Sequence, residues 1–215
     1  MEADVQRKLP IVTIFLILLN VCIWILLEFM GETLDSDFMI QYGASYAPLI
    51  LENGEYWRLF TCMFLHFGAD HLINNMLLLG IMGYRLEYVM GSVSFGILYI
   101  ISGMGGSLLS FYEDLRAADE VVSAGASGCV FGVIGGLIAW AVLNKGKVEK
   151  MTTKGLVGMA ALSLYYGFST AGVDNWGHIG GLLFGFLLGC ILTILRKIID
   201  FQKRNQYTIN KEWRK

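Results

Sequence analysis

Between residues 121 and 144 the chain carries no charged side chain, and comparable uncharged apolar runs recur at 11–27, 91–112, 155–173 and 176–195. A helix needs about 20 consecutive apolar residues to cross a bilayer. These runs therefore predict a polytopic membrane protein. At 55% hydrophobic and 16% charged, the chain of 215 residues is also too apolar and too poor in charge for a soluble domain of this size. No basic surface is available for nucleic acid, which excludes that class of partner. The four cysteines (Cys22, Cys62, Cys129 and Cys190) are scattered. They form neither a disulfide framework nor a C-x-x-C metal pattern and read as packing residues.

A sixth run, 71–84, is shorter because Arg85 and Glu87 close it. Arg85 can snorkel to the headgroups, which lets this helix continue to about Met90. The first run follows Arg7 and Lys8 and has no small-x-small cleavage site near residues 26–31, so it reads as a retained span. Residues 31–70 mix acids with aromatic side chains, as a structured loop in the membrane interface would. With six spans and a cytoplasmic N-terminus, fourteen of the 16 Lys and Arg fall on the inner side, leaving only Arg58 and Arg116 outside. That asymmetry predicts cytoplasmic N- and C-termini. The expected organisation is a short cytoplasmic segment (1–9), an all-α membrane domain (10–197) and a flexible cytoplasmic tail (198–215).

In this topology the second, fourth and sixth spans all run inward, so their first turns share the outer leaflet. Those turns carry His71, Gly125-Ala126-Ser127-Gly128 and His178. With the fourth helix starting at Val121, Ser127 would lie roughly 9 Å along it, close to the depth of His178. Ser127 is the candidate nucleophile. His178 is the candidate base, since an imidazole titrates near neutral pH and a serine hydroxyl needs its proton removed. His71 and Asn75, at i and i+4, share a helix face and can aim donors at one oxyanion, joined by the Ser127 N–H. Asn74 adds to the polar lining or bonds across helices. Gly181, Gly185 and Gly189 face the side of His178, and Gly128, Gly132 and Ala139 form a facing stripe, a spacing that lets helices approach closely enough for a Ser127–His178 hydrogen bond. Singly, each signal also has a structural reading. Ser127 can be packing, His178 a bonded structural histidine or part of a proton path, and Trp57-Arg58 an interfacial anchor with the arginine paired to a loop acid.

Together these motifs resemble the rhomboid family of intramembrane serine proteases in its compact six-helix form. The matching positions are Trp57-Arg58, His66, His71 with Asn75, Gly83 to Glu87, Gly125 to Gly128, and His178 with Gly181 and Gly185. The resemblance covers about residues 10–197. It implies a six-helix rhomboid-like bundle and a Ser127–His178 dyad without a third carboxylate. It further implies an oxyanion site of His71, Asn75 and the Ser127 amide, and membrane-anchored protein substrates cut in or near a transmembrane segment. Some family members carry a Tyr that stacks on the base where this chain has Phe131. No metal or cofactor is implied.

Rival classes fit less well. A transporter would call for acids within the spans or an inverted repeat. A zinc protease would need H-E-x-x-H, and His66 and His71 at i, i+5 would point about 140° apart on a regular helix. The remaining alternative is a catalytically silent rhomboid-like protein that binds membrane clients. The acidic start, Glu2 and Asp4, favours a bacterial cytoplasmic membrane over a mitochondrial one, with the site opening outward; oligomeric state is left open.

Overall fold

The computed structural model describes residues 9–148 and 151–212. The segment read as the cytoplasmic N-terminus, 1–9, lies almost wholly outside the described residues, as does 213–215. In chain order the elements are α1 (Ile11–Met30), α2 (Ser36–Gln41), β1 (Ser45–Tyr46), α3 (Ala47–Glu52), α4 (Arg58–Thr61), α5 (Gly68–Leu78) and α6 (Tyr84–Met90). There follow α7 (Ser92–Ala117), β2 (Val122–Ser123), α8 (Ser127–Leu143), β3 (Lys147–Val148), β4 (Met151–Thr152), α9 (Thr153–Phe168) and α10 (Asn175–Glu212). The chain is mostly helical, and the strands form only two short antiparallel pairs among the described residues.

Each uncharged run predicted from the sequence contains a helix, though two of the runs are helical over only part of their length. Among the described residues α1, α7 and the Asn175–Lys203 part of α10 are long and apolar enough to cross a membrane, and α8 is an apolar but shorter helix. A π-helical turn, Leu79–Gly83, joins α5 to α6 into one rod reaching Met90. The helix that holds the short apolar run thus continues to Met90 and is ended by Gly91 at φ 84.

The fourth helix starts at Ser127, not at Val121. Residues 122–123 are instead a strand pairing Ser45 with Ser123 and Tyr46 with Val122. The β-branched pair Val121-Val122 favours extended backbone, and Gly125 at φ 144 is incompatible with helix. The 9 Å estimate of depth along a helix therefore does not apply; Ser127 sits at the helix start itself. The fifth helix ends at Phe168, five residues early, and Ser169 and Thr170 turn their hydroxyls back onto the Tyr165 and Tyr166 carbonyls of its last turn. The tail predicted to be flexible continues α10 as helix to Glu212.

Apolar all round, α8 is the helix that others pack against, as such a composition requires. Residues 129–139 are all buried. Its glycines set the spacing to α10. A methyl carbon on Gly181 or Gly185 would run into the backbone of Gly128 or Gly132, and one on Gly189 would lie 2.9 Å from the Gly136 Cα. The stripe on α8 is therefore Gly128, Gly132 and Gly136, with Ala139 also against Gly189. The sequence pattern missed the third partner, α7: a methyl on Gly106 would come within 2.6 Å of the Gly177 carbonyl oxygen.

Candidate active site

The turn before α8 is held by the long loop preceding α5. The Gly125 N–H donates to the Cys62 carbonyl at 2.9 Å, and the Ala126 N–H donates to His66 Nε2 at 3.3 Å. As an acceptor at Nε2, His66 is neutral, and burial beside His71 holds its pKa down to about 3. Both bonds fix the backbone immediately before Ser127. His66 lies ahead of α5, not on it, and its ring meets that of His71 edge-on at 5.3 Å. The divergence of the two rings inferred from helical periodicity is therefore wrong, because the chain between them is not regular helix.

His71 and Ser127 converge on Gly125. A methyl carbon on Gly125 would lie 2.7 and 2.9 Å from Cε1 and Nε2 of His71 and 3.7 Å from the Ser127 hydroxyl oxygen. Asn75 is buried on the same rod and donates one amide proton to the His71 carbonyl at 3.1 Å. Asn74 is exposed, on the outside of the rod, so the structure removes it from the polar lining.

His178 reaches the site through α10. Its ring is buried and stacks on Phe131, with centroids 4.3 Å apart and planes inclined by 13°. Phe131 is one helical turn past Ser127 on the same face of α8, and Gly128 abuts the carbonyl of Gly177, the residue before His178. Among the described residues no hydrogen bond joins Ser127 to His178, and His178 Nδ1 is buried without a partner. With no carboxylate to orient the imidazole, packing on Phe131 fixes its plane. Phe131→Ala should therefore lower turnover by about tenfold, as loss of orientation does, while Phe131→Tyr should stay near wild type. Cleavage rates of the two variants check this; equal rates for Phe131→Ala and wild type would remove the ring from the site.

A cavity of about 30 Å³ opens beside Ser127, lined among others by Cys62, Ser107, Ser110, Ser123 and Asp174. It is large enough for a water molecule and polar enough to hold one. Burial pushes the Cys62 thiol up to about 11, so it is protonated and no rival nucleophile. Sequence reasoning passed over Cys62, Ser110, Ser123 and Asp174. Only Asp174, an acid four residues before His178, left a readable signal. Trp57 and Arg58 lie apart from this cavity. The buried Arg58 pairs with Glu55 at 2.6 Å, donates to the Ile40 and Ala44 carbonyls, and lies over the Trp57 ring. These contacts stitch the 31–70 loop to itself.

Comparison with known proteins places this geometry in a family. A rhomboid domain model matches residues 53–194. Rhomboid protease AarA of Providencia stuartii is 32% identical over 199 residues, covering 82% of this chain and 70% of that protein. The chain belongs to the rhomboid family. Rhomboid protease GluP of Bacillus subtilis (strain 168) is 35% identical over 199 residues, covering 93% of this chain and 38% of that protein. RHOMBOID-like protein 1 of Arabidopsis thaliana is 40% identical over 167 residues, 76% of this chain and 41% of its own. The rhomboid chain described here thus spans about two-fifths of the length of the last two relatives.

Proposed function

We propose that this rhomboid is an intramembrane serine endopeptidase that hydrolyses peptide bonds in or near the transmembrane segments of membrane-anchored proteins. Ser127 Oγ attacks the scissile carbonyl carbon while His178 accepts the hydroxyl proton. His178 then returns that proton to the leaving amine, and a water, activated by the same imidazole, hydrolyses the acyl-enzyme. His71, Asn75 and the Ser127 N–H stabilise the oxyanion. A Ser–His hydrogen bond that is open in the free enzyme closes when substrate fills the site.

One observation carries this reading: the His71 ring and the Ser127 hydroxyl converge at Gly125, while His178 is stacked one turn along the same face of α8. The charge distribution supports six spans with both termini cytoplasmic and a site open to the outer side of a cell membrane. A helical peptide bond is shielded by its own hydrogen bonding, so substrates are expected to carry small or helix-breaking residues near the cut. Purified protein in liposomes with a single-span substrate tests the reading. Cleavage and covalent labelling by a fluorophosphonate should both vanish in Ser127→Ala and fall strongly in His178→Ala. Substrate capture without cleavage by the wild type would mark a silent client-binding rhomboid instead.

A further inference from the structure

We infer that Asp174 is a positioning residue, which locks the helix bearing His178 to the turn bearing Ser127; the inference rests on the dyad proposed above. Asp174 immediately precedes α10, and its Oδ1 accepts the Gly177 N–H at 2.7 Å. Its own carbonyl accepts the His178 N–H at 3.2 Å. The carboxylate thus caps the first turn of α10, satisfying a backbone donor that the helix cannot satisfy itself. His178 is the next residue, so the cap fixes where its backbone begins.

The same carboxylate has a second set of neighbours. The hydroxyls of Ser110 on α7 and Ser123 on β2 lie near enough to interact with it, in the cavity that all three line. β2 runs directly into Gly125 and Ser127, and Asp174, Ser110, Ser123 and Ser127 line one cavity. One partly buried side chain therefore brings together the helix of the base, the strand leading to the nucleophile and α7, which packs against α8 and α10. Glycine packing sets how close α8 and α10 come, but backbone contacts at bare Cα atoms leave sliding along the axis weakly resisted. The capped Asp174, set among the Ser110 and Ser123 hydroxyls, opposes that sliding at the end of α10 where His178 lies. A shift of about 1 Å there is enough to cost roughly 100-fold in rate.

The test uses the full chain in liposomes. Asp174→Ala should lower kcat by roughly 10- to 100-fold with KM within about twofold of wild type, and amide exchange at residues 177–178 should accelerate. Asn can accept the Gly177 N–H as well as Asp does, so Asp174→Asn should restore both readouts to within about threefold of wild type. Ser123→Ala and Ser110→Ala keep the cap and remove one tie each, and each should lower kcat by several-fold; these two decide the matter where Asp174→Ala does not fold. Wild-type kcat in Asp174→Ala, or equal loss in the Ala and Asn variants, would overturn the inference. If wild type itself takes no fluorophosphonate label, the dyad fails, whereas exchange at 177–178 in the Ala and Asn variants still reports on the lock.

Discussion

Gly125→Ala should leave a folded protein with almost none of the wild-type activity, a loss of about 100-fold or more in fluorophosphonate labelling and in substrate cleavage. Two separate physical terms lead there. Gly125 sits at φ 144, where an L side chain is strained by about 1–3 kcal/mol. The turn cannot relax away from this angle, because its N–H is fixed to the Cys62 carbonyl and the next N–H to His66. The added methyl would also meet the His71 ring at 2.7 Å, closer than carbon atoms approach. His71 must then swing away, taking a proposed oxyanion donor from the spot where the Ser127 hydroxyl lies. Gly128→Ala is the matched control. Its methyl would meet the Gly177 carbonyl at 3.4 Å, a contact that a small shift relieves, so it should lose far less. Labelling of Gly125→Ala at the wild-type rate would show that His71 has no part in the site.

The contrast between what the chain order shows and what it hides follows from the range of the interactions. Helical runs were legible because a bilayer solvent demands long uncharged stretches, and that demand is local in sequence. Ser127, His178, His71 and Asn75 stand out as candidates because polar groups in such stretches are few. The start of α8 was misplaced because Val121 to Ala126 are apolar enough to continue a span. Only pairing with Ser45-Tyr46, some 75 residues upstream, makes them strand and turn. Gly136 and the α7 glycines stayed hidden for a similar reason: in a chain with 26 glycines, the ones at helix contacts differ from the others only in three dimensions. Asp174 looked like a loop acid until Ser110 and Ser123 came to lie beside it.

Glu87→Ala should have the largest effect on stability, about 3 kcal/mol, with little change in the labelling rate of the molecules that remain folded. Glu87 is 3% exposed and accepts four hydrogen bonds. They come from the N–H groups of Val12 and Thr13 at 3.0 and 2.8 Å, the Thr13 hydroxyl at 2.7 Å and the Ser92 hydroxyl at 2.6 Å. The two amides belong to the first turn of α1, which no side chain of its own caps. A negative charge placed there also complements the helix dipole. Gly83 belongs to the same joint, since a methyl on it would lie 3.1 Å from Thr13. Removing the carboxylate leaves buried donors on α1 and at the start of α7 without partners, which costs more than the net worth of the bonds themselves. Glu87→Gln keeps an acceptor but turns an amide toward those donors, so an intermediate loss is expected. Glu87 lies sixteen residues along the α5–α6 rod from His71, roughly 24 Å away, too far for the damage to reach the site except through unfolding. Thermal unfolding in detergent, with amide exchange along α1, measures this directly. An unchanged midpoint in Glu87→Ala would mean that α1 is held by apolar packing alone, and that the four bonds only replace ones the unfolded chain makes with water.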